Sequence, residues 1–178
     1  VRILSFVLLL CALAAPSWAA SVLAWDVPTL TSHSTYVVEA RVDRVRSERH
    51  EGDIRTVNSV TVTRALKGSP ADRLDVVQGS GRVGDTVKTI HGDMELAAGS
   101  RYVLFLEERG GELHSTLLGW SVFRIDGEGD DTPLSRNLAG LSLMVRAEDG
   151  SLVPAPESRV IAATPRTLAA LRAEVEGR

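Results

Sequence analysis

The stretch that most limits what this chain can become is RYVLFLE, residues 101–107, because it is apolar on both faces of any strand it forms. With a period of two, Tyr102, Leu104 and Leu106 point one way while Val103 and Phe105 point the other. A strand of this kind must be buried on both sides. In a small barrel one face fills the interior, and a further part of the chain must then cover the outer face.

The neighbouring segments supply the rest of such a sheet. YVVEARVDRVR, residues 36–46, sets Tyr36, Val38, Ala40 and Val42 on one face and Glu39, Arg41 and Asp43 on the opposite, polar face. Val45 breaks that phase by one residue, as a β-bulge would, and a bulge lets a strand coil. A polar loop, SERHEGDI (47–54), leads to TVNSVTVTRALKG (56–68), which is β-branched and alternating and so completes a hairpin. Residues 73–78 and 86–90 read as shorter strands. Residues 113–125 read as a sixth, interrupted near Gly119.

The outer cover is expected from the C-terminal region. It starts after the turn-rich DGEGDDTP (126–133), includes a strand within 138–145, and passes the proline-containing VPAPESR (153–159). TPRTLAALRAEVEGR then reads as a helix with Thr164 as N-cap and Pro165 at its first position, and Leu168, Leu171 and Val175 form its apolar stripe. The pattern predicts an all-β core: a five- to six-stranded Greek-key barrel of the OB type over residues 20–125. Residues 126–178 form an extension whose helix packs on the barrel, near Phe105.

Residues 1–19 carry a basic Arg2, an apolar run from Ile3 to Ala15 and the small-x-small triplet Ser17-Trp18-Ala19, which together predict a secretory signal peptide. The run is shorter than the roughly 18 residues a membrane span needs. Export to the periplasm or the extracellular space follows as the expectation. Cys11 is the one cysteine and lies inside that run, so the mature chain is expected to have neither disulfides nor thiol chemistry. Arg2 is also the one charge the signal carries, which makes the mature chain slightly more acidic than the net −3 of the whole. Interspersed charges with a net negative balance disfavour nucleic acid and anionic membrane as partners.

No motif supports catalysis. GSGRVG (79–84) matches the dinucleotide fingerprint in letters, but DTVKTIHGD after it alternates like a strand where a helix is required, so a flexible loop with Arg82 at its tip is expected. DGEGDD spaces Asp126, Glu128 and Asp130 as a calcium loop would, yet Asp131 stands where glycine belongs and Asn137 where the bidentate glutamate belongs. A solvated turn is the simpler reading. His33, His50, His91 and His114 are far apart, with no metal-ligand spacing. No catalytic residue, metal or cofactor is expected. Trp25 and Trp120 are expected to pack in the core.

Three segments in order, YVVEARV, SVTVTRALKG and SRYVLFLEERGGELHSTLLG, resemble the N-terminal inhibitory domain of tissue inhibitors of metalloproteinases and related netrin-like domains over about residues 34–125. The resemblance implies an OB fold and a non-enzymatic role holding a secreted or envelope protein, with a metalloprotease as the family's target. In that family an N-terminal cysteine chelates the protease zinc through its α-amino group and carbonyl. Here Ala20 or Ser21 occupies that place, without a cysteine to pin it. The candidate binding residues are therefore Ala20 and Ser21 at the mature N-terminus, Arg49 and His50 in the loop 47–53, and Arg82 in the loop 79–84. Arginine beside flexible glycine suits an interface. Binding of an envelope carbohydrate or small ligand on the barrel face is the alternative, and an unrecognised hydrolase ranks below both.

Overall fold

The structure, a computed structural model, describes residues 19–177, so the signal-peptide readings on Arg2, Cys11 and the apolar run lie outside the described residues. The core is all-β with a C-terminal helix packed on it. Its main sheet contains β2 (Tyr36–His50), β3 (Asp53–Lys67), β4 (Arg73–Gln78), β7 (Arg101–Arg109), β8 (Glu112–Gly119), β9 (Val122–Ile125) and the short β10 (Leu134–Ser135). They run in the order β10-β9-β7-β2-β3-β4-β8, and β8 also pairs with β7. The β7–β8 pairing is antiparallel, whereas β8 meets β4 in parallel through Val76 and Leu113. A two-stranded hairpin, β5 (Gly81–Val83) and β6 (Thr86–Lys88), stands beside the sheet.

The doubly apolar strand is β7, and both faces are covered. Tyr102, Leu104 and Leu106 join Val38, Ala40, Val42 and Val60 in one buried cluster. Val103 and Phe105 join a second cluster with Trp120 and Phe123 on the opposite face. Burying a side chain such as Phe105 contributes roughly 1.5–3 kcal/mol, which is why neither face can be left open. The second cluster is closed by β1 (Ala20–Leu23), α1 (Val27–His33) and α3 (Leu168–Glu176), through Val22, Val27, Leu30, Leu168 and Leu171. The cover is thus shared between the two ends of the chain. A three-stranded outer sheet, β1-β11-β12, uses β11 (Leu141–Arg146) and β12 (Leu152–Pro154), and α2 (Glu157–Ala162) precedes α3.

The bulge expected at Val45 is present as a register shift between Val42 and Arg44, which leaves Asp43 unpaired with β3. The polar loop expected over 47–54 is mostly strand. β2 continues to His50, which pairs with Asp53, and the turn is just Glu51-Gly52, at φ 50° and 85°. Gly110-Gly111 makes the β7–β8 turn at φ 63° and 82°. Two successive positive φ angles give the tight turn whose twist matches a hairpin, so charged side chains can continue to the tip of each ribbon.

Two further expectations are corrected. The C-terminal helix starts at Leu168 with Thr167 as its N-cap, accepting from the Ala170 N–H at 3.3 Å. Thr164 instead donates back to the Val160 carbonyl at 2.8 Å, at the end of α2, which removes it from capping duty. The elements β1, α1 and α2 carry too few residues to show a period, although Asp26 does cap α1 by accepting from the Thr29 N–H at 2.9 Å. Finally, Glu39 does not face water. It is 5% exposed and receives two bonds from Arg172 of α3, Nε to Oε1 at 2.6 Å and Nη2 to Oε2 at 2.8 Å. Lys67, from the Leu-Lys-Gly that ends β3, caps α1 by donating to the carbonyls of Thr31 and Ser34 at 2.5 and 2.7 Å.

Candidate functional site

The tips of the two long hairpins lie on either side of a groove of about 630 Å³. Its floor is apolar, from Ile54, Val77, Leu117 and Leu118, and its rim is charged, from His50, Asp53, Arg55, Lys88, Arg109, Glu112 and His114. The β2–β3 hairpin is tied to β8 by Arg55, whose Nε donates to Glu48 at 2.9 Å while Nη1 donates to Glu112. That hydrogen bond from Arg55 holds the Glu48 carboxyl below the usual carboxylate range. Glu112 in turn lies 3.8 Å from Nε2 of His114. Lys88 of β6 meets Asp53 at 2.5 Å and lowers its carboxyl in the same way. Among the described residues, the non-glycine positions at positive φ are Glu51 and Leu118, and both border this groove. Backbone held in a sparsely populated region is found where surrounding structure over-determines it.

The expected binding residues fall into two groups. Arg49, His50 and Arg82 come together at one end of the molecule, because the β5–β6 hairpin lies against β2. Arg49 Nη2 donates to Thr86 Oγ1 at 3.1 Å, and the Arg82 N–H donates to Ser47 Oγ at 3.3 Å. His50 is on the groove rim. Ala20 and Ser21 are elsewhere, in β1, paired in parallel with Leu141 and Ser142, and the Ala20 nitrogen donates to the Gly140 carbonyl at 2.9 Å. Sequence reasoning missed Arg55, Lys88, Arg109, Glu112 and His114. Their signal was present, since a two-residue turn flanked by strands places the charges beside it at a ribbon tip.

GSGRVG is not a flexible loop: Gly81-Arg82-Val83 is β5, and a strand follows it. Gly79 and Gly81 answer to packing. A Cβ on Gly81 would stand 2.7 Å from Thr56 Oγ1 and 3.0 Å from both Ile54 Cγ2 and Ser47 Oγ. Gly81→Ala is therefore expected to push the β5–β6 hairpin off β3, at a cost of about 1–3 kcal/mol in a urea titration. An unchanged midpoint would show that the hairpin is not seated there. In DGEGDD the three carboxylates at calcium-loop spacing are engaged one by one: Asp126 by Arg124, Glu128 by Arg101 and Asp130 by Arg172. Among the described residues no group of three His, Cys, Asp or Glu is placed to hold a metal ion.

Chemically, an apolar floor inside a rim that alternates cation and anion accommodates a polar partner with mixed charge and an apolar centre. No protein-family model matches the chain, and no curated protein matches its sequence. Among the described residues no helix is long and apolar enough to cross a membrane.

Proposed function

We propose that this chain is an exported, non-enzymatic binding module of the OB type that holds a protein partner in the groove between its two hairpin tips. The observation that carries the reading is that groove, with two strained turns and opposed charges around an apolar floor. The barrel assignment is supported by the strand order β2-β3-β4-β8-β7, which returns to β2, with the parallel contact between β4 and β8 completing the circuit. In such barrels the first hairpin and the loop joining the last two strands flank the ligand face. Export rests on the N-terminal sequence.

Protein is favoured over carbohydrate because glycan binding needs exposed rings. Phe105, Trp120 and Phe123 are fully buried and Tyr102 nearly so, while the half-buried Trp25 and Tyr36 lie outside the groove lining, Trp25 stacked on His33. Metalloprotease inhibition through a free N-terminus is not adopted, since the Ala20 nitrogen is engaged by Gly140.

The test is capture by the mature chain, starting at Ala20, from secreted and envelope fractions, followed by titration of the protein recovered in stoichiometric amount. Arg109→Glu changes the groove rim, and the double change Arg49→Ala with Arg82→Ala changes the β2–β5 face beside it, neither touching the core. Each is expected to weaken the complex by about tenfold, or roughly 1.4 kcal/mol. Unchanged affinity in both variants would move the binding surface away from the hairpin tips.

A further inference from the structure

Arg136 lies between β10 and β11, and its guanidinium is packed in a slot against two aromatic rings. Its Cζ is 3.9 Å from the centroid of Trp120 and 3.7 Å from that of Phe123. The slot is rigid. Trp120 is fully buried and donates from Nε1 to the Trp25 carbonyl at 2.8 Å, and Phe123 packs on Phe105 with ring centroids 5.8 Å apart. Stacking compensates part of the cation's desolvation but satisfies none of its N–H groups. Nε, Nη1 and Nη2 are all buried, and none has a hydrogen-bond partner among the described residues.

Such a group normally carries an acceptor, because buried charge is kept where it is paired. Burial pushes the Arg136 guanidinium down to about 9, so it remains a cation at neutral pH. The carboxylate whose charge it feels is Glu174 of α3. Glu174 is itself pushed up, first by burial and then by the negative charge of Asp26, the α1 cap. Asp26 in turn is held low by its bonds from Thr29.

We propose that Arg136 is the recognition group of an anion site that takes a carboxylate. Trp120 and Phe123 stack against the guanidinium within about 4 Å of Cζ, and its N–H groups all point outward in its own plane, which is the bidentate geometry a carboxylate offers. A tetrahedral oxyanion projects oxygens out of that plane, toward the rings. Arg136 also borders a cavity of about 550 Å³ shared with Tyr102, Arg124, Ser135, Asn137 and Glu95, whose carboxylate accepts from Asn137 Nδ2 at 2.8 Å. The segment that carries it joins the main sheet through β10, a strand of two residues, and is the piece that must yield to admit the ligand.

The test uses the mature chain and its melting temperature in chloride, sulfate, acetate and succinate at equal ionic strength. Ligand that binds the folded state alone raises the melting temperature with concentration. Acetate or succinate is expected to raise it by about 3 °C or more above chloride and sulfate, with the gain lost in Arg136→Met, which keeps the stacked bulk without the donors. Arg136→Lys, which keeps the charge without the fork, is expected to retain less than half of it. Should Arg136→Met not fold, the Nε–H resonance of Arg136 in the unaltered protein provides the second readout, shifting with acetate and not with chloride. The proposal is overturned by equal anion responses in the wild type and Arg136→Met, or by an Nε–H resonance that ignores carboxylate.

Discussion

Replacing Arg172 by alanine is expected to destabilise the protein by about 3–5 kcal/mol, a large share of what a domain of this size has. The reason is the partner left behind. Glu39 is 5% exposed on β2, and its carboxylate is held at both oxygens by the Arg172 fork. Removing the fork strands a charge where water does not reach, which costs more than the pair itself contributes. Replacing both partners, with Glu39→Leu and Arg172→Met together, is expected to recover most of the loss, because a buried ion pair is often matched by apolar side chains of similar volume. The contrast is Arg41 with Asp43, a pair at 2.9 Å whose arginine side chain is 55% exposed, where Arg41→Ala is expected to cost under about 1 kcal/mol. Urea titrations of the four proteins check this. A loss at Arg172→Ala no larger than that at Arg41→Ala would mean that Glu39 is hydrated in solution.

Deleting residues 160–178 is expected to abolish cooperative unfolding altogether. The deletion strips Leu168 and Leu171, both essentially unexposed, from the cluster that contains Val37, Val103, Phe105 and Trp120. It also removes Arg172 from Glu39 and the Leu134–Arg166 backbone bond that holds the connector. One face of β7 would then be open to water, an apolar surface of the kind that drives aggregation. Dye binding to exposed apolar surface and the loss of a sigmoidal melt are the expected readouts. Leu171→Ala is the graded version, expected to cost about 2–5 kcal/mol with folding retained. A truncated chain that melts as sharply as the whole one would show that the cluster on the other face of β7 is sufficient alone.

The groove depends on a feature that is local in sequence, and the anion slot does not. Glu51-Gly52 and Gly110-Gly111 are turns between complementary strands, so the charges beside them were bound to stand at two ribbon tips. Bringing those tips to one groove required β8 to pair with β7 and to reach β4 as well. The Arg136 slot needed Trp120 and Phe123 to share the buried side of the sheet and the connector to fold back across them, which no spacing in the chain announces.

What the sequence by itself determined was whatever a period of two or of 3.6 can encode. It specified that β7 is buried on both faces, that β2 bulges near Val45, and that an apolar-striped helix follows the strands. Periodicity records which residues avoid water, since that property belongs to each side chain. It does not record what covers them. Glu39 reads as one more polar residue on a solvent face until Arg172, 133 positions later, is placed over it. Ala20 and Ser21 give no sign of a strand until β11 lies beside them. Partner identity is a property of pairs far apart in the chain, decided by which packing buries the most apolar surface with the fewest unmet charges, and only the tertiary structure settles that balance.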